Sequence, residues 1–204
     1  MDRVAIVGMA GKFPQADCVE EFWSNIQLGK DCITRKNSKE VLCRNTIKRV
    51  NARGCIRNVF DYDAEFFNIS EKDVRLSDPQ NRQFLECVWK AFESSGYDWD
   101  ELPEKVSVYA SSAPSTYLYQ DAFNTPVERM NCYLENSQDF FASKISYKLD
   151  FKGESLNVQT ACSSSLTAVY LACQSLNNYQ CDMAIAGGAN ILLPQEKGYL
   201  FQKG

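Results

Sequence analysis

A cysteine within the run TACSSS, residues 160–165, is the strongest candidate for chemistry in this sequence. The residues before it, SLNVQ at 155–159, have the pattern of a buried strand, and those after it repeat apolar side chains at helical spacing. Cys162 is therefore predicted at or just before the N-terminus of a helix. The unpaired N–H groups and the positive end of the helix dipole at that position favour a thiolate.

The neighbours of Cys162 are small, which would let a bulky thioester approach the sulfur. An adjacent backbone N–H would be available to stabilise an oxyanion. These features make Cys162 a candidate nucleophile. An alternative stays open, because serines after a strand are routine helix caps and a cysteine beside them can be inert.

The chain has nine cysteines and no histidine. The sequence contains no C-x-x-C pair, so neither a disulfide framework nor a zinc ribbon is expected. Without an imidazole the chain cannot by itself run a Ser-His-Asp or Cys-His mechanism or build a histidine-containing zinc site. The cysteines other than Cys162 are interpreted as inert core residues.

Composition excludes several classes of protein. The 204 residues are 45% apolar, 24% charged and 12% aromatic, which argues against a disordered or collagen-like chain. The net charge is −4 and the basic residues are scattered, so nucleic acid is not an expected partner. No apolar run approaches the length of a membrane span, and the N-terminus lacks the hydrophobic region of a signal peptide. We expect a cytoplasmic protein.

Strand-like and helix-like patterns alternate along the chain, which predicts an α/β fold with a mostly parallel, helix-covered sheet. Asp17 with Glu20 resembles a capping box that opens a short helix, and residues 30–58 read as an irregular surface excursion. A looser helical stretch extends to about Met130. The remaining elements are predicted as strands at 3–8, 105–111, 155–159 and 182–193, and helices at 79–95, 137–149 and 162–178.

The helix that begins at Pro79 has the clearest boundaries. Asp78 is a good N-cap, and Gly96 ends the pattern. We interpret Asp78 and Arg82 as satisfying caps and neighbouring carbonyls. The apolar positions of this helix are Phe84, Leu85, Val88, Trp89 and Phe92, and those of the helix after Cys162 are Leu166, Val169, Tyr170, Cys173 and Leu176. Burial of the five apolar side chains between Phe84 and Phe92 would require that helix to pack against another element.

Several ordered motifs resemble those of one family. They are VAIVGMAGKFP (4–14), FDYDAEFFNIS (60–70), DPQNRQFLE (78–86), ISYKLDFKGESLNVQTACSSS (145–165) and CDMAIAGGANILL (181–193). Together they resemble the β-ketoacyl synthases, in particular the ketosynthase domains of modular polyketide synthases. The resemblance covers the chain except for about residues 30–58. A nucleotide-binding reading fits poorly, since GMAG at 8–11 is not G-x-G-x-x-G.

The resemblance implies a thiolase-like fold, with two similar α/β halves in a layered α-β-α-β-α body. Residues 1–204 would be mainly the N-terminal half, with the irregular insertion at about 30–58. It implies that Cys162 takes an acyl group from a phosphopantetheine thioester, with its own backbone N–H as an oxyanion donor. The acyl-cysteine would then undergo decarboxylative Claisen condensation with a malonyl-type, carrier-bound extender, as in polyketide and fatty acid synthesis.

The resemblance also implies the partners: an acyl carrier protein, a second ketosynthase copy in a homodimer, and other synthase domains. No metal or bound cofactor is implied, because phosphopantetheine arrives on the acyl carrier protein. The resemblance implies that decarboxylation in this family is supported by a pair of histidines and a lysine, all downstream of residue 204. We therefore expect that the 204 residues alone do not condense, and that the chain is a truncated fragment or, alternatively, a non-catalytic structural remnant.

Smaller features are given structural interpretations. Gln159 stands where many family members have an acidic residue, and Asn81 where Gln or His is common. The glycine pair at 187–188 is interpreted as permitting close backbone approach near the sulfur. A half-body would expose apolar surface, which predicts poor solubility or partial order. The aromatic side chains interpreted as core or subunit contacts are Phe60, Tyr62, Phe66 and Phe67.

Overall fold

The computed structural model describes residues 3–35, 42–43, 47–117 and 125–202. The chain divides into a larger unit, Met1–Ala10 with Phe60–Ile191, and a smaller unit, Gly11–Val59 with Leu192–Gly204. Within the described ranges, helices are too short or too polar to cross a membrane.

The described residues form the following α-helices and β-strands. The helices are α1 (Val19–Gln27), α2 (Glu71–Leu76), α3 (Pro79–Ser95), α4 (Pro126–Asn136), α5 (Phe141–Lys148) and α6 (Ser164–Asn177). The strands are β1 (Ile33–Arg35), β2 (Leu42–Cys43), β3 (Ile47–Val50), β4 (Ala52–Gly54), β5 (Val106–Ser112), β6 (Ser155–Asn157), β7 (Met183–Ala189) and β8 (Tyr199–Gln202).

A parallel sheet of order β6-β5-β7 forms the centre of the larger unit and confirms the predicted parallel arrangement. On β5, Val106 lies opposite Met183 of β7, and Val108 lies opposite Ser155 of β6. Alternate residues of β5 face opposite sides of the sheet. Val106, Val108 and Ala110 pack with α3 and α5, whereas Tyr109 packs with α6. The sheet is thus covered on both faces.

Helix α3 has the predicted boundaries. The Asp78 side chain accepts a hydrogen bond from the Gln80 N–H, and Gly96 ends the helix with a left-handed φ of 74°. Such a conformation favours glycine. The predicted apolar face is buried at Phe84, Leu85, Val88 and Phe92, and Trp89 is partly buried against the same core.

The predicted strand at residues 3–8 is not formed. A strand needs a ladder partner, and within the described residues this run pairs with none. Helix α3 holds it instead: the Met9 N–H donates to Ser94 Oγ at 3.1 Å. Gly8 is required by this contact, because a Cβ on it would lie 2.0 Å from the carbonyl oxygen of Ala91.

The capping arrangement at α1 differs from the prediction by one residue. The N-cap is Cys18, whose side chain makes no capping hydrogen bond. Glu21, rather than Glu20, reaches back, and its Oε2 accepts from the Asp17 N–H at 2.9 Å. The carboxylate still satisfies an N–H beside the helix start, which is the physical purpose of a capping box.

The interpretation of residues 30–58 as irregular is wrong for the part that the structure describes. In the smaller unit, β1 pairs with β4, and β3 pairs with both β2 and β8, all antiparallel. These strands have two to four residues each, too few to show an alternating pattern. One partner, β8, comes from the far end of the chain, so local sequence carried little information about the pairing.

Two predicted helical stretches have different bounds in the structure. The looser stretch leading to Met130 falls partly on residues 118–124, which lie outside the described residues, and α4 begins only at Pro126. A capping box between Thr125 and Glu128 fixes this start. The helix predicted at 137–149 begins with a 3₁₀ turn at Gln138–Phe140 and continues as α5. The strand predicted at 182–193 ends earlier, at Ala189.

Candidate active site

The turn that carries Cys162 follows β6 at the carboxyl edge of the parallel sheet. The Val158 N–H donates to the Ala110 carbonyl at 2.8 Å, which extends the attachment to β5 just beyond the strand. A 3₁₀ turn then spans Ala161–Ser163, and α6 begins at Ser164. The predicted order of strand, abrupt turn and helix is confirmed. Cys162 is exposed, whereas the other cysteines whose side chains the structure describes are half-buried or buried.

Hydroxyl groups bind the turn together. Ser164 Oγ accepts from the Thr160 N–H at 2.9 Å and donates to the Ala161 carbonyl at 2.8 Å. Ser163 Oγ lies 2.8 Å from the Thr160 carbonyl, to which it donates. The Thr167 hydroxyl donates to the Ser163 carbonyl at 3.0 Å and lies 3.0 Å from the Thr160 hydroxyl. The side chains of Thr160, Ser163, Ser164 and Thr167 are thus engaged with the turn itself.

The backbone of the turn has one unusual residue. Ala161, directly before Cys162, has a φ of 54°, in the left-handed region. That region is unfavourable for a residue with a Cβ and persists only where the surroundings hold it. The Cys162 N–H makes no hydrogen bond to any described residue, which leaves it available as a donor.

Two glutamines from different segments, one just before the Cys162 turn and one before α5, share an acceptor at the end of β5. The side-chain amide of Gln159 donates to the Ser112 carbonyl at 3.2 Å, and that of Gln138 donates to the same carbonyl. Asn157, at the end of β6, accepts from the Ala142 N–H at 2.8 Å. Sequence reasoning noted Gln159 only as a departure from the family pattern and missed the shared acceptor.

The glycine pair at 187–188 relates to two different neighbours. A Cβ on Gly187 would lie 3.0 Å from the Phe84 ring, so this residue accommodates α3 rather than the sulfur. A Cβ on Gly188 would lie 3.5 Å from the Cβ of Ser165, an ordinary contact distance. Gly188 therefore lies beside the first turn of α6, although the approach there does not require glycine.

The face of α6 that meets the sheet carries its smaller apolar side chains. Leu166, Val169 and Tyr170 are 73%, 41% and 59% exposed, whereas Ala168 and Ala172 are buried. The two alanines pack with Tyr109 of β5, and small side chains allow the helix to lie close to that ring. Helical periodicity predicted the helix correctly. Two of the apolar side chains that gave this periodicity, Cys173 and Leu176, are half-buried.

Asp78 lies at the centre of a buried polar cluster at the start of α3. It is fully buried, and its carboxylate accepts from the Gln80 N–H at 2.9 Å and from Ser115 Oγ at 2.6 Å. Its own N–H donates to Asn136 Oδ1 at 2.6 Å, which connects α3 with α4. Burial raises the pKa of Asp78 above its ordinary value. The structural interpretation of Asp78 as a helix cap is confirmed.

Arg82 and the aromatic segment before α2 complete this region. Arg82 Nη1 donates to the Phe60 carbonyl at 3.1 Å, as expected for a buried guanidinium, and burial lowers the pKa of Arg82. Tyr62 stacks on Phe67 with ring centroids 5.2 Å apart, and both belong to the core of the larger unit. Phe60 and Phe66 are each 54% exposed and are not core residues.

A helix-covered parallel sheet with a cysteine on the turn into a helix is an α/β arrangement that fits the thiolase-like fold implied by the sequence motifs. Comparison with known proteins makes the assignment specific. The family model "Beta-ketoacyl synthase, N-terminal domain" matches residues 1–204, and the chain belongs to that family. The resemblance found in the sequence motifs is thereby confirmed.

The relatives are polyketide synthases. The chain is 34% identical to the polyketide synthase PksL of Bacillus subtilis over 213 residues, covering 96% of this chain and 5% of that protein. It is 37% identical to the polyketide synthase ThaG of Burkholderia thailandensis over 208 residues, covering 96% of this chain and 4% of that protein. The chain thus spans a small fraction of the curated relatives it matches.

Solved ketosynthases have the same fold. Ketosynthase twelve of the bacillaene polyketide synthase from Bacillus amyloliquefaciens superposes with a TM-score of 0.84 at 32% identity, covering 98% of this chain and 37% of that chain. The ketosynthase from module 1 of the bacillaene synthase of the same species gives a TM-score of 0.79 at 36% identity, covering 95% and 36% respectively. The fold is that of the N-terminal part of a ketosynthase domain.

Proposed function

We propose that this chain is the acyl-accepting part of a polyketide-type ketosynthase and that Cys162 is its nucleophile. The observation that carries the proposal is the exposed Cys162 on the turn into α6, at the carboxyl edge of the sheet. Membership of the β-ketoacyl synthase family supports the reaction class. The acyl donor would be a thioester on the phosphopantetheine arm of an acyl carrier protein.

The reaction is an exchange between two thioesters. The Cys162 thiolate attacks the carbonyl carbon of the donor, and the carbonyl oxygen becomes an oxyanion to which the Cys162 N–H can donate. The tetrahedral intermediate then collapses, the bond to the phosphopantetheine sulfur breaks, and that sulfur leaves as a thiolate that takes a proton from solvent. One C–S bond forms and one breaks, so the main requirements are a reactive thiolate and good positioning.

The condensation step is proposed to need groups beyond these 204 residues. By the family resemblance, two histidines and a lysine would support this step, and this sequence has no histidine. The chain alone would therefore stop at the acyl-cysteine stage. The acyl carrier protein, a second ketosynthase copy and other synthase domains are proposed as partners of the complete protein, a proposal supported by the polyketide synthase relatives.

Incubation of the chain with hexanoyl-N-acetylcysteamine, a soluble mimic of an acyl-phosphopantetheine, tests this proposal. We expect one hexanoyl adduct, located on Cys162 by peptide mass mapping, and loss of that adduct in Cys162→Ala. Cys173→Ala is the matched control, because Cys173 lies half-buried on α6 and its removal should leave the adduct unchanged.

Two results would contradict the proposal. Equal acylation of several cysteines, or an adduct that persists in Cys162→Ala, would remove Cys162 as the nucleophile and leave the non-catalytic alternative. Release of carbon dioxide when a malonyl thioester is added to the acylated chain would contradict the expected stop at the acyl-cysteine stage.

A further inference from the structure

We propose that Ser164 is a positioning residue for Cys162, acting through the backbone of Ala161. The proposal rests on the proposed function only in the importance it gives to Cys162, since the contacts themselves belong to the turn. Ser164 is 6% exposed, whereas Thr160 and Ser163 are exposed. Ser164 is thus the buried anchor of the hydroxyl network around the nucleophile.

The hydroxyl of Ser164 bonds to two residues on the other side of Cys162 in the sequence. It accepts from the Thr160 N–H at 2.9 Å and donates to the Ala161 carbonyl at 2.8 Å. Both contacted groups precede Cys162 in the chain, while Ser164 itself is the first residue of α6. The two bonds therefore tie the segment before the nucleophile to the helix that follows it.

The conformation of Ala161 explains why such a tie is needed. Its φ of 54° lies in the left-handed region, which the Cβ of alanine disfavours. Because Ala161 directly precedes Cys162, its backbone angles determine the direction in which the Cys162 side chain leaves the turn. Loss of the Ser164 hydroxyl would let Ala161 relax and would move the sulfur away from the N-terminus of α6.

This role is distinct from helix capping. The N-cap of α6 is Ser163, and the Ser164 hydroxyl contacts Thr160 and Ala161, which lie before the helix. An ordinary cap satisfies the free N–H groups of the first helical turn. Ser164 satisfies groups of the preceding turn, so its removal should affect Cys162 more than the helix.

A double-mutant cycle tests the connection through Ala161. The rate of alkylation of Cys162 by iodoacetamide is measured by peptide mass mapping in the full chain, in Ser164→Ala, in Ala161→Gly and in the double variant. We expect Ser164→Ala to slow alkylation about tenfold, as for the loss of one or two hydrogen bonds that orient the group. In the Ala161→Gly background the left-handed conformation carries no Cβ penalty. There, Ser164→Ala should slow the alkylation of Cys162 by less than about threefold.

Matched controls separate positioning from unfolding. Ser165→Ala should leave the Cys162 rate unchanged, because the exposed Ser165 side chain makes no hydrogen bond to a described residue. Cys132 and Cys181 are 0% and 4% exposed, and their alkylation reports opening of the larger unit. Both should remain as protected in Ser164→Ala as in the unaltered chain. Ser164→Thr, which keeps the hydroxyl, should restore most of the Cys162 rate.

The possible results separate this inference from the proposed function. An unaltered Cys162 rate in Ser164→Ala would overturn the inference, and so would a loss that Ala161→Gly leaves undiminished or that accompanies exposure of Cys132. Failure of Cys162 to accept the hexanoyl group would overturn the proposed function instead. The ratio of alkylation rates still decides the role of Ser164 in that case.

Discussion

Asp78 is an ionisable residue with a structural role. Its carboxyl is fully buried, caps α3 and receives the Ser115 hydroxyl. Burial disfavours the ionised form more than these hydrogen bonds and nearby Arg82 favour it, so the pKa of Asp78 is raised from its ordinary value of 3.8. The folded state therefore gains when Asp78 is protonated.

The pH dependence of stability should reflect this direction. A carboxyl with a raised folded-state pKa contributes stability below its unfolded pKa and loses that contribution as pH rises through the folded value. The asparagine introduced by Asp78→Asn would still cap the helix but would not titrate. We therefore expect Asp78→Asn to gain stability relative to the unaltered chain as pH rises from about 3 to about 7, measured by urea unfolding.

A matched control is available at Asp98, an exposed cap of the short 3₁₀ turn Trp99–Glu101. Asp98→Asn should not reproduce the gain with rising pH, since the cause of the Asp78 effect is burial. A relative stability of Asp78→Asn that stays flat, or that falls with rising pH, would show that hydrogen bonds outweigh burial at this carboxyl.

The single-residue features were predictable only where their cause is local. The cap at Asp78 and the position of Cys162 between a strand and a helix follow from neighbouring residues, and the sequence predicted both. The left-handed conformation of Ala161 carried no such indication, because alanine is not typical of that region. The Ser164 bonds depend on that conformation, and the shared use of the Ser112 carbonyl depends on a sheet edge assembled from distant segments.

At the scale of elements, α6 shows the limit of hydrophobic periodicity. Apolar spacing predicts a helix correctly, yet two faces of α6 are apolar, one large and one small. The small face, with Ala168 fully buried, lies on the sheet because it permits close packing against Tyr109. The strand predicted at residues 3–8 is not formed for a related reason. An apolar run becomes a strand only where a neighbouring strand supplies hydrogen bonds.

Two substitutions should distinguish the faces of α6. Ala168→Leu adds volume where the helix meets the sheet and should lower the free energy of unfolding by about 1–3 kcal/mol. Leu166→Ala removes a side chain that is 73% exposed and should change it by less than about 0.5 kcal/mol. Chemical denaturation of the two variants provides the comparison. The opposite ranking would mean that Leu166, not Ala168, lies on the buried face.

At the scale of the whole molecule, the larger unit displays substantial apolar surface. Leu166, Tyr170 and Leu156 are 73%, 59% and 47% exposed, and the first two lie on the same helix. Large exposed apolar patches are uncommon on monomeric proteins and favour association. The family resemblance predicted apolar exposure of this kind, but it did not indicate which side chains of α6 would provide it.

We therefore expect the 204-residue chain to self-associate at micromolar concentration. Replacing Leu166 and Tyr170 together by Ser should raise the monomer fraction in sedimentation velocity experiments. Tyr147→Ser is the matched control, because Tyr147 is 87% exposed on α5 and away from that face. A chain that is already monomeric and unfolds in one sharp transition would contradict this expectation.

The strand order of the parallel sheet affects the order in which the chain folds. Strand β5 is central, and its Val106 meets Met183 on β7, a partner that is synthesised much later. Contacts between such distant residues slow folding, because a long segment must be closed before they form. Helix α3 and β5 therefore leave the ribosome well before β7 can complete the sheet. During that interval the edge of β5 that β7 will cover has only water, or a chaperone, as its neighbour.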